Sequence, residues 1–169
     1  MRLVVTRPEP DAERTAAALS RLGHKVHVAP LMRIEPVADA ALGSGPWSGV
    51  IFTSANAVHA AAGLAGLGAL AGLRVFAVGS RTAAAAGAAG FRDVAQSGGT
   101  AQELTQHIRQ WAKPERDRGA PAAVRDPLLY LAGEDLSHDL AGDLAADGGI
   151  VVRTVVVYRA VKALRFPAA

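Results

Sequence analysis

The sequence predicts an α/β protein built on a parallel, doubly wound sheet, and three observations predict it. Val50-Ile51-Phe52 is an unbroken apolar run, the pattern of a strand buried on both faces of a parallel sheet. The run ends in Thr53-Ser54-Ala55-Asn56, all small or polar, and an alanine-rich helical pattern follows at once. The same order of strand, small-residue turn and helix recurs along the chain, as in stacked β-α units. The turns at 6–10, 53–56, 79–82, 97–100 and 133–135 are therefore expected along one edge of the structure. In open α/β sheets this carboxyl edge is where ligands bind.

Taken in order, Arg2–Thr6 is a short Val-rich strand, and Pro8 and Pro10 forbid its continuation. Asp11 to Leu22 has helical spacing, with Ala16, Leu19 and Leu22 on one face and Gly23 as the stop. His24–Ala29 is the next strand. The segment Pro30–Pro36 carries two framing prolines, which suits a crossing between two bodies better than a central strand. After a Gly/Ala/Ser-rich connection come the Gly49–Thr53 strand and a helix from about Asn56 to Leu70, weakened or broken by Gly63, Gly66 and Gly68. Ser54 or Asn56 can cap it. Arg74–Val78 is an apolar strand, followed by Gly79-Ser80-Arg81-Thr82 and an alanine helix ending at Gly90. Asp93–Ala95 is a minor strand. Thr100 opens a helix with Glu103 as its capping-box partner and a buried stripe of Leu104, Ile108 and Trp111. Lys113–Pro127, charged and proline-bearing, is expected as a surface loop. Leu128–Leu131 is a strand, the helix after it runs to Asp147, and Ile150–Val161 is a long Val-rich strand containing Tyr158.

Composition narrows the function. Half of the 169 residues are hydrophobic but only 5% are aromatic, so the core must be made of Ala, Val and Leu. The net charge of +3 suits a small acidic ligand, while the cations are too scattered for a nucleic-acid surface. With no cysteine, disulfides, thiolate metal sites and a Cys nucleophile are excluded, which fits a cytoplasmic location. No apolar stretch reaches the length that spans a membrane.

The remaining motifs weigh against cofactors. Gly63, Gly66, Gly68 and Gly72 lack the G-x-G-x-x-G order and do not directly follow a strand. Gly79-Ser80-Arg81-Thr82 lacks the P-loop lysine, although the turn suits an anion or carboxylate. His24 and His27 stand on opposite sides of a strand, and no histidine pair has zincin spacing, so no metal site is expected. Asp135, Asp139, Asp143 and Asp147 step by four along the expected helix and read as a solvated face. No G-x-S-x-G surrounds Ser54 or Ser80. Tyr158 is either a packed tyrosine or a phenol donating a proton at the ligand cleft.

Seven stretches in order resemble the uroporphyrinogen-III synthase family: VTRP at 5–8, PLMRIEP at 30–36, IFTSANAV at 51–58, VFAVGSRTA at 75–83, SGGT at 97–100, LYLAGE at 129–134 and VVVYRAV at 155–161. The resemblance implies two α/β domains joined by antiparallel connectors, Met32–Val37 outgoing and Val152–Tyr158 returning. Family members continue past the YRAV strand, so it implies a partial first domain, 1–33 plus 157–169, and a complete second domain, 37–154. It implies a lyase that cyclises hydroxymethylbilane with loss of water and inversion of the last pyrrole ring, without metal or organic cofactor. Tyr158 matches the tyrosine proposed to assist departure of the hydroxyl, and Thr82 a threonine of the cleft. Ser54, Ala55 and Asn56 match contacts to substrate carboxylates, and Arg7 is a weaker match. Thr53, Gly79, Gly99, Thr100 and Gly133, in the same turns, complete the expected substrate-binding set. The family is monomeric; a partial first domain adds the alternative of a non-catalytic homologue that binds a polycarboxylate, or one completed by a partner or a dimer. An unrelated sugar- or nucleotide-binding domain is the weakest reading.

Overall fold

A computed structural model describes residues 1–117 and 126–163, and the α/β architecture expected from the sequence is what it contains. The chain divides into two compact units, one of Met1–Glu35 with Arg159–Ala169 and one of Pro36–Tyr158.

In the smaller unit, strand β1 (Arg2–Val5) pairs in parallel with β2 (Lys25–Val28), and helix α1 (Asp11–Arg21) connects them. The helix ends one residue earlier than expected, and Leu22 does not belong to its buried face: it is 73% exposed. Asp11 and Ala12 are the buried residues instead, and Asp11 accepts from the exposed Arg7 and Arg14, which cover its carboxylate. Gly23, at φ 82°, makes the stop.

The larger unit is organised by its sheet. The strands of that sheet are β3 (Met32–Pro36), of which Pro36 alone falls in this unit, β4 (Gly49–Phe52), β5 (Arg74–Val78), β6 (Asp93–Ser97), β7 (Leu128–Gly133) and β8 (Val152–Lys162), which falls in it as far as Tyr158, in the order β3-β8-β7-β4-β5-β6. β8, β7, β4, β5 and β6 pair in parallel throughout. The chain passes between the units within β3 and within β8.

Among the described residues, four α-helices and one 3-10 turn lie between these strands: α2 (Ala55–Ala61), the 3-10 turn at Leu67–Leu70, α3 (Gly79–Ala88), α4 (Ala101–Asp117) and α5 (Leu140–Gly148). Residues of α2, the 3-10 turn and α3 pack on one face of the sheet, against Val50, Phe52, Val75, Ala77, Leu129 and Leu131. Residues of α4 and α5 pack on the other face, against Ile51, Phe76, Leu128, Tyr130 and Ala132. Strict alternation along β4, β5 and β7 thus feeds two cores, and every residue of β4 and of β7 is buried.

Several boundaries differ from expectation for local reasons. The helix expected over 56–70 stops at Ala61, and Gly66, at φ 89°, turns the chain before Leu67 and Leu70 return to the core. β6 runs on to Ser97, two residues beyond its expected end. α4 continues to Asp117, so Lys113–Asp117 is helical rather than loop, while residues 118–125 of that expected loop lie outside the described residues. The aspartates do not form one helical row. Asp135 precedes α5, Asp139 caps it by accepting from Gly142 N at 2.9 Å, and Asp143 bonds His138 at 2.8 Å.

Candidate active site

β4 begins a pattern that fixes the site. β5 and β6 lie to one side of it and β7 and β8 to the other, so the sheet changes direction of growth between β4 and β7. At such a switch point the loops leaving two adjacent strands diverge and open a crevice at their carboxyl ends. A cavity of about 270 Å³ sits there, and Thr53, Ser54, Gly99, Tyr130, Gly133 and Tyr158 line it together with Val78, Ala101 and Asp135–Ser137.

The turns that frame it are built by their own sequences. Ser54 ends the β4 turn by accepting from Asn56 N at 3.1 Å, capping α2. Thr100 and Glu103 form the expected capping box: Glu103 Oε2 accepts from Thr100 N at 3.0 Å, and Thr100 Oγ1 accepts from Glu103 N at 3.2 Å. No side chain caps α3, whose first residue, Gly79, adopts φ 71°. A Cβ on Gly79 would lie 3.9 Å from the Gly99 Cα, so the β5 and β6 turns are neighbours.

Two phenols reach this cavity from opposite faces of the sheet. Tyr130 belongs to the core on the α4/α5 side, and Tyr158 packs on the α2/α3 side. A register shift on β8 explains the second. Ala132 stands opposite Val156 but Gly133 stands opposite Tyr158, so Val157 is the extra residue of a bulge. The bulge turns Tyr158 onto the same face as buried Val157, and Glu134 N closes it by donating to Tyr158 O at 3.0 Å. Gly133 gives the ring its space: a Cβ there would come within 2.6 Å of the Tyr158 Cζ. Tyr130 is 3% exposed, and its hydroxyl lies 2.8 Å from Thr53 Oγ1. Burial raises its pKa above the ordinary 10.0; the Thr53 hydrogen bond opposes the shift and the nearby Tyr158 adds to it.

Of the residues anticipated from the sequence, Thr53, Ser54, Gly99, Gly133 and Tyr158 line one cavity. Ala55 and Thr82 are buried inside their helices, Asn56 is half-buried behind Ser54, and Thr100 is occupied by its capping box; none of these four lines it. Arg7, in the smaller unit, pairs with Asp11 at 2.7 Å and donates to Thr15 Oγ1 at 3.2 Å. Tyr130 and Asp135–Ser137 went unanticipated. Alternation along LLYLAG places Tyr130 on the same face as Leu128 and Ala132, but only the neighbouring β4 reveals a partner for its hydroxyl. The lining holds hydroxyls from Thr53, Ser54, Tyr130, Ser137 and Tyr158, and Asp135 is its one charged side chain. The lining carries no cationic side chain among the described residues. Among the described residues, no group of three or more His, Asp or Glu is placed to hold a metal ion, and no helix is long and apolar enough to cross a membrane.

The fold and the crevice define an α/β protein with a doubly wound sheet and a hydroxyl-lined cavity at its switch point, the place where open α/β sheets bind ligands. The family model of uroporphyrinogen-III synthase HemD matches residues 13–168, and the chain belongs to that family. No curated protein gives a significant match. Two of the solved structures that share the fold are uroporphyrinogen-III synthases. A mutant uroporphyrinogen III synthase from Thermus thermophilus has a TM-score of 0.58 at 18% identity, over 96% of this chain and 64% of that one. The uroporphyrinogen-III synthetase from Helicobacter pylori has a TM-score of 0.59 at 19% identity, over 97% of this chain and 63% of that one. The chain therefore spans a little under two thirds of the length of these structures.

Proposed function

We propose that this chain binds hydroxymethylbilane, a linear tetrapyrrole with carboxylates on every ring, and cyclises it as a uroporphyrinogen-III synthase-type lyase. The observation that carries the reading is the gathering of four strand-end turns and two phenols around one crevice of about 270 Å³. That volume falls just below the ~300–1,000 Å³ of sites for drug-sized molecules, so it accepts one pyrrole ring with its carboxylate arms. The uncapped first turn of α3 and the hydroxyls of Thr53 and Ser54 supply neutral donors for those carboxylates. Asp135 supplies an acceptor for a pyrrole N–H.

The chemistry asks little covalent work of the protein. Departure of the substrate hydroxyl as water needs one proton, and the Tyr158 phenol is our candidate donor. The chain of rings must then be held so that the last ring is attacked at its substituted carbon and inverts through a spiro intermediate. Holding one geometry over another is orientation catalysis. Thr53, Ser54, Gly99 and Gly133 are proposed as the groups that hold it.

The test is incubation with freshly generated hydroxymethylbilane, followed by oxidation and chromatographic separation of the isomers. The inverted isomer above background supports the reading; the non-inverted isomer alone, at the spontaneous rate, contradicts catalysis by this chain. Tyr158→Phe should lower turnover by about a hundredfold or more, the usual worth of a positioned proton donor. Undiminished turnover in that variant removes Tyr158 from the acid role.

A further inference from the structure

We propose that Tyr130 is a positioning residue of this site, acting through Thr53 on a carboxylate group of the bound ligand. The inference deepens the proposed function and rests on its reading of the crevice as a carboxylate site.

The geometry is a short relay at the switch point. Tyr130 stands opposite Ile51 in the β4–β7 register, one residue back from the end of β4, so its ring lies beneath the turn that carries Thr53. The two hydroxyl oxygens are 2.8 Å apart, ordinary O–H···O hydrogen-bond length. Both residues line the crevice, but Tyr130 is nearly fully buried while Thr53 is half-buried, so Thr53 presents the more accessible hydroxyl.

A hydroxyl has one hydrogen and two lone pairs. A phenol is the stronger acid of the two, so Tyr130 donates and Thr53 Oγ1 accepts. That leaves the Thr53 hydrogen for a third partner, and it fixes the rotor that would otherwise turn freely. A carboxylate at the mouth of the crevice then receives a bond from a donor already polarised by the hydroxyl behind it. A phenol of the ordinary value, 10.0, is protonated across the neutral range and burial raises Tyr130 further, so the relay begins from a donor at working pH. Tyr158 and Asp135 are the other titratable groups lining the crevice, and Tyr158 is the one that acts on Tyr130.

Direct titration tests this, with uroporphyrin as the probe because it carries the carboxylates and is stable. Affinities of the wild-type chain, Tyr130→Phe, Thr53→Val, Thr53→Ser and the double variant Tyr130→Phe/Thr53→Val are compared by quenching of porphyrin fluorescence. Tyr130→Phe should weaken binding about three- to tenfold, the worth of one neutral hydrogen bond, and Thr53→Val about ten- to a hundredfold, the worth of one to a charged acceptor. Thr53→Ser, which keeps the hydroxyl, should bind within about twofold of wild type. The double variant should be no weaker than Thr53→Val alone, since residues acting as one relay are non-additive.

Unchanged affinity in Tyr130→Phe, or losses that add in the double variant, overturns the relay. Where Tyr130→Phe does not fold, the contrast between Thr53→Val and Thr53→Ser decides: equal losses overturn the proposal. The readout is independent of turnover. A chain that binds uroporphyrin with this pattern but makes no inverted isomer loses the catalytic reading and keeps the relay. A chain that makes the inverted isomer with Tyr130→Phe unaffected in binding loses the relay alone.

Discussion

The two units solve the packing problem unequally. In Pro36–Tyr158, a sheet covered on both faces buries Phe52, Phe76, Leu129, Leu131, Leu104 and Ile108 to less than 2% exposure. In the smaller unit the buried apolar side chains among the described residues are Val5, Ala12 and Ala29, while Val4 is 62% and Met1 83% exposed. A two-stranded ribbon with one helix has little interior to offer, and such elements are marginal by themselves. The difference teaches where the free energy of this fold resides. The crevice is built wholly from residues of the larger unit, so its geometry is set by the better-packed part of the chain.

Substitutions can break that comparison. The largest effect is expected for Phe52→Ala, which removes a fully buried ring packed edge-on against Phe91. It should cost about 3–5 kcal/mol in chemical denaturation. Val4→Ala in the smaller unit should stay within about 0.5 kcal/mol. Equal costs would mean that the exposed face of β1 is covered in solution. Next is Thr100→Ala, which opens the capping box of α4 and should cost about 1 kcal/mol by thermal melting. Gly133→Ala should cost about as much in stability, because the Tyr158 ring can move aside. It should nonetheless lower turnover of hydroxymethylbilane well beyond its effect on folding, since the ring is displaced from the crevice.

The smallest effect is a pH dependence. The unfolded chain ionises Tyr130 at the ordinary value near 10.0, whereas the folded chain holds the proton to higher pH. Above the ordinary value the folded state therefore binds more protons than the unfolded one. Stability is complete below it and declines as pH rises through the folded value. Tyr130→Phe should flatten that decline in denaturation curves taken from pH 8 upward.

Much of this was legible in the chain because it is local. Val50-Ile51-Phe52 is apolar at every position, and only a strand covered on both sides has a use for that pattern. Thr100 and Glu103 carry the start of α4 in their spacing alone. Ser54 could be read as a cap for the same reason. Other features depend on which strand lies beside which. The Tyr130–Thr53 bond exists because β7 is the neighbour of β4, and no pattern within LLYLAG encodes that. The bulge that re-aims Tyr158 is a mismatch between two strands, invisible in either one. Leu22 fits a helical stripe but falls one residue beyond the end of α1 and is exposed, away from the buried Val5, Ala12 and Ala29. The four-residue spacing of the aspartates imitates a helix face, yet Asp139 spends its carboxylate on the Gly142 amide and starts the helix there.

The crevice between β4 and β7 is the proposed seat of the polycarboxylate. Backbone amide NMR of the full chain, titrated with uroporphyrin, tests this most directly. Binding there predicts saturable shifts concentrated at Thr53, Ser54, Gly79, Gly99 and Gly133, with the resonances of β1 and β2 unmoved. Shifts confined to residues outside those turns, or none at saturating porphyrin, would contradict it.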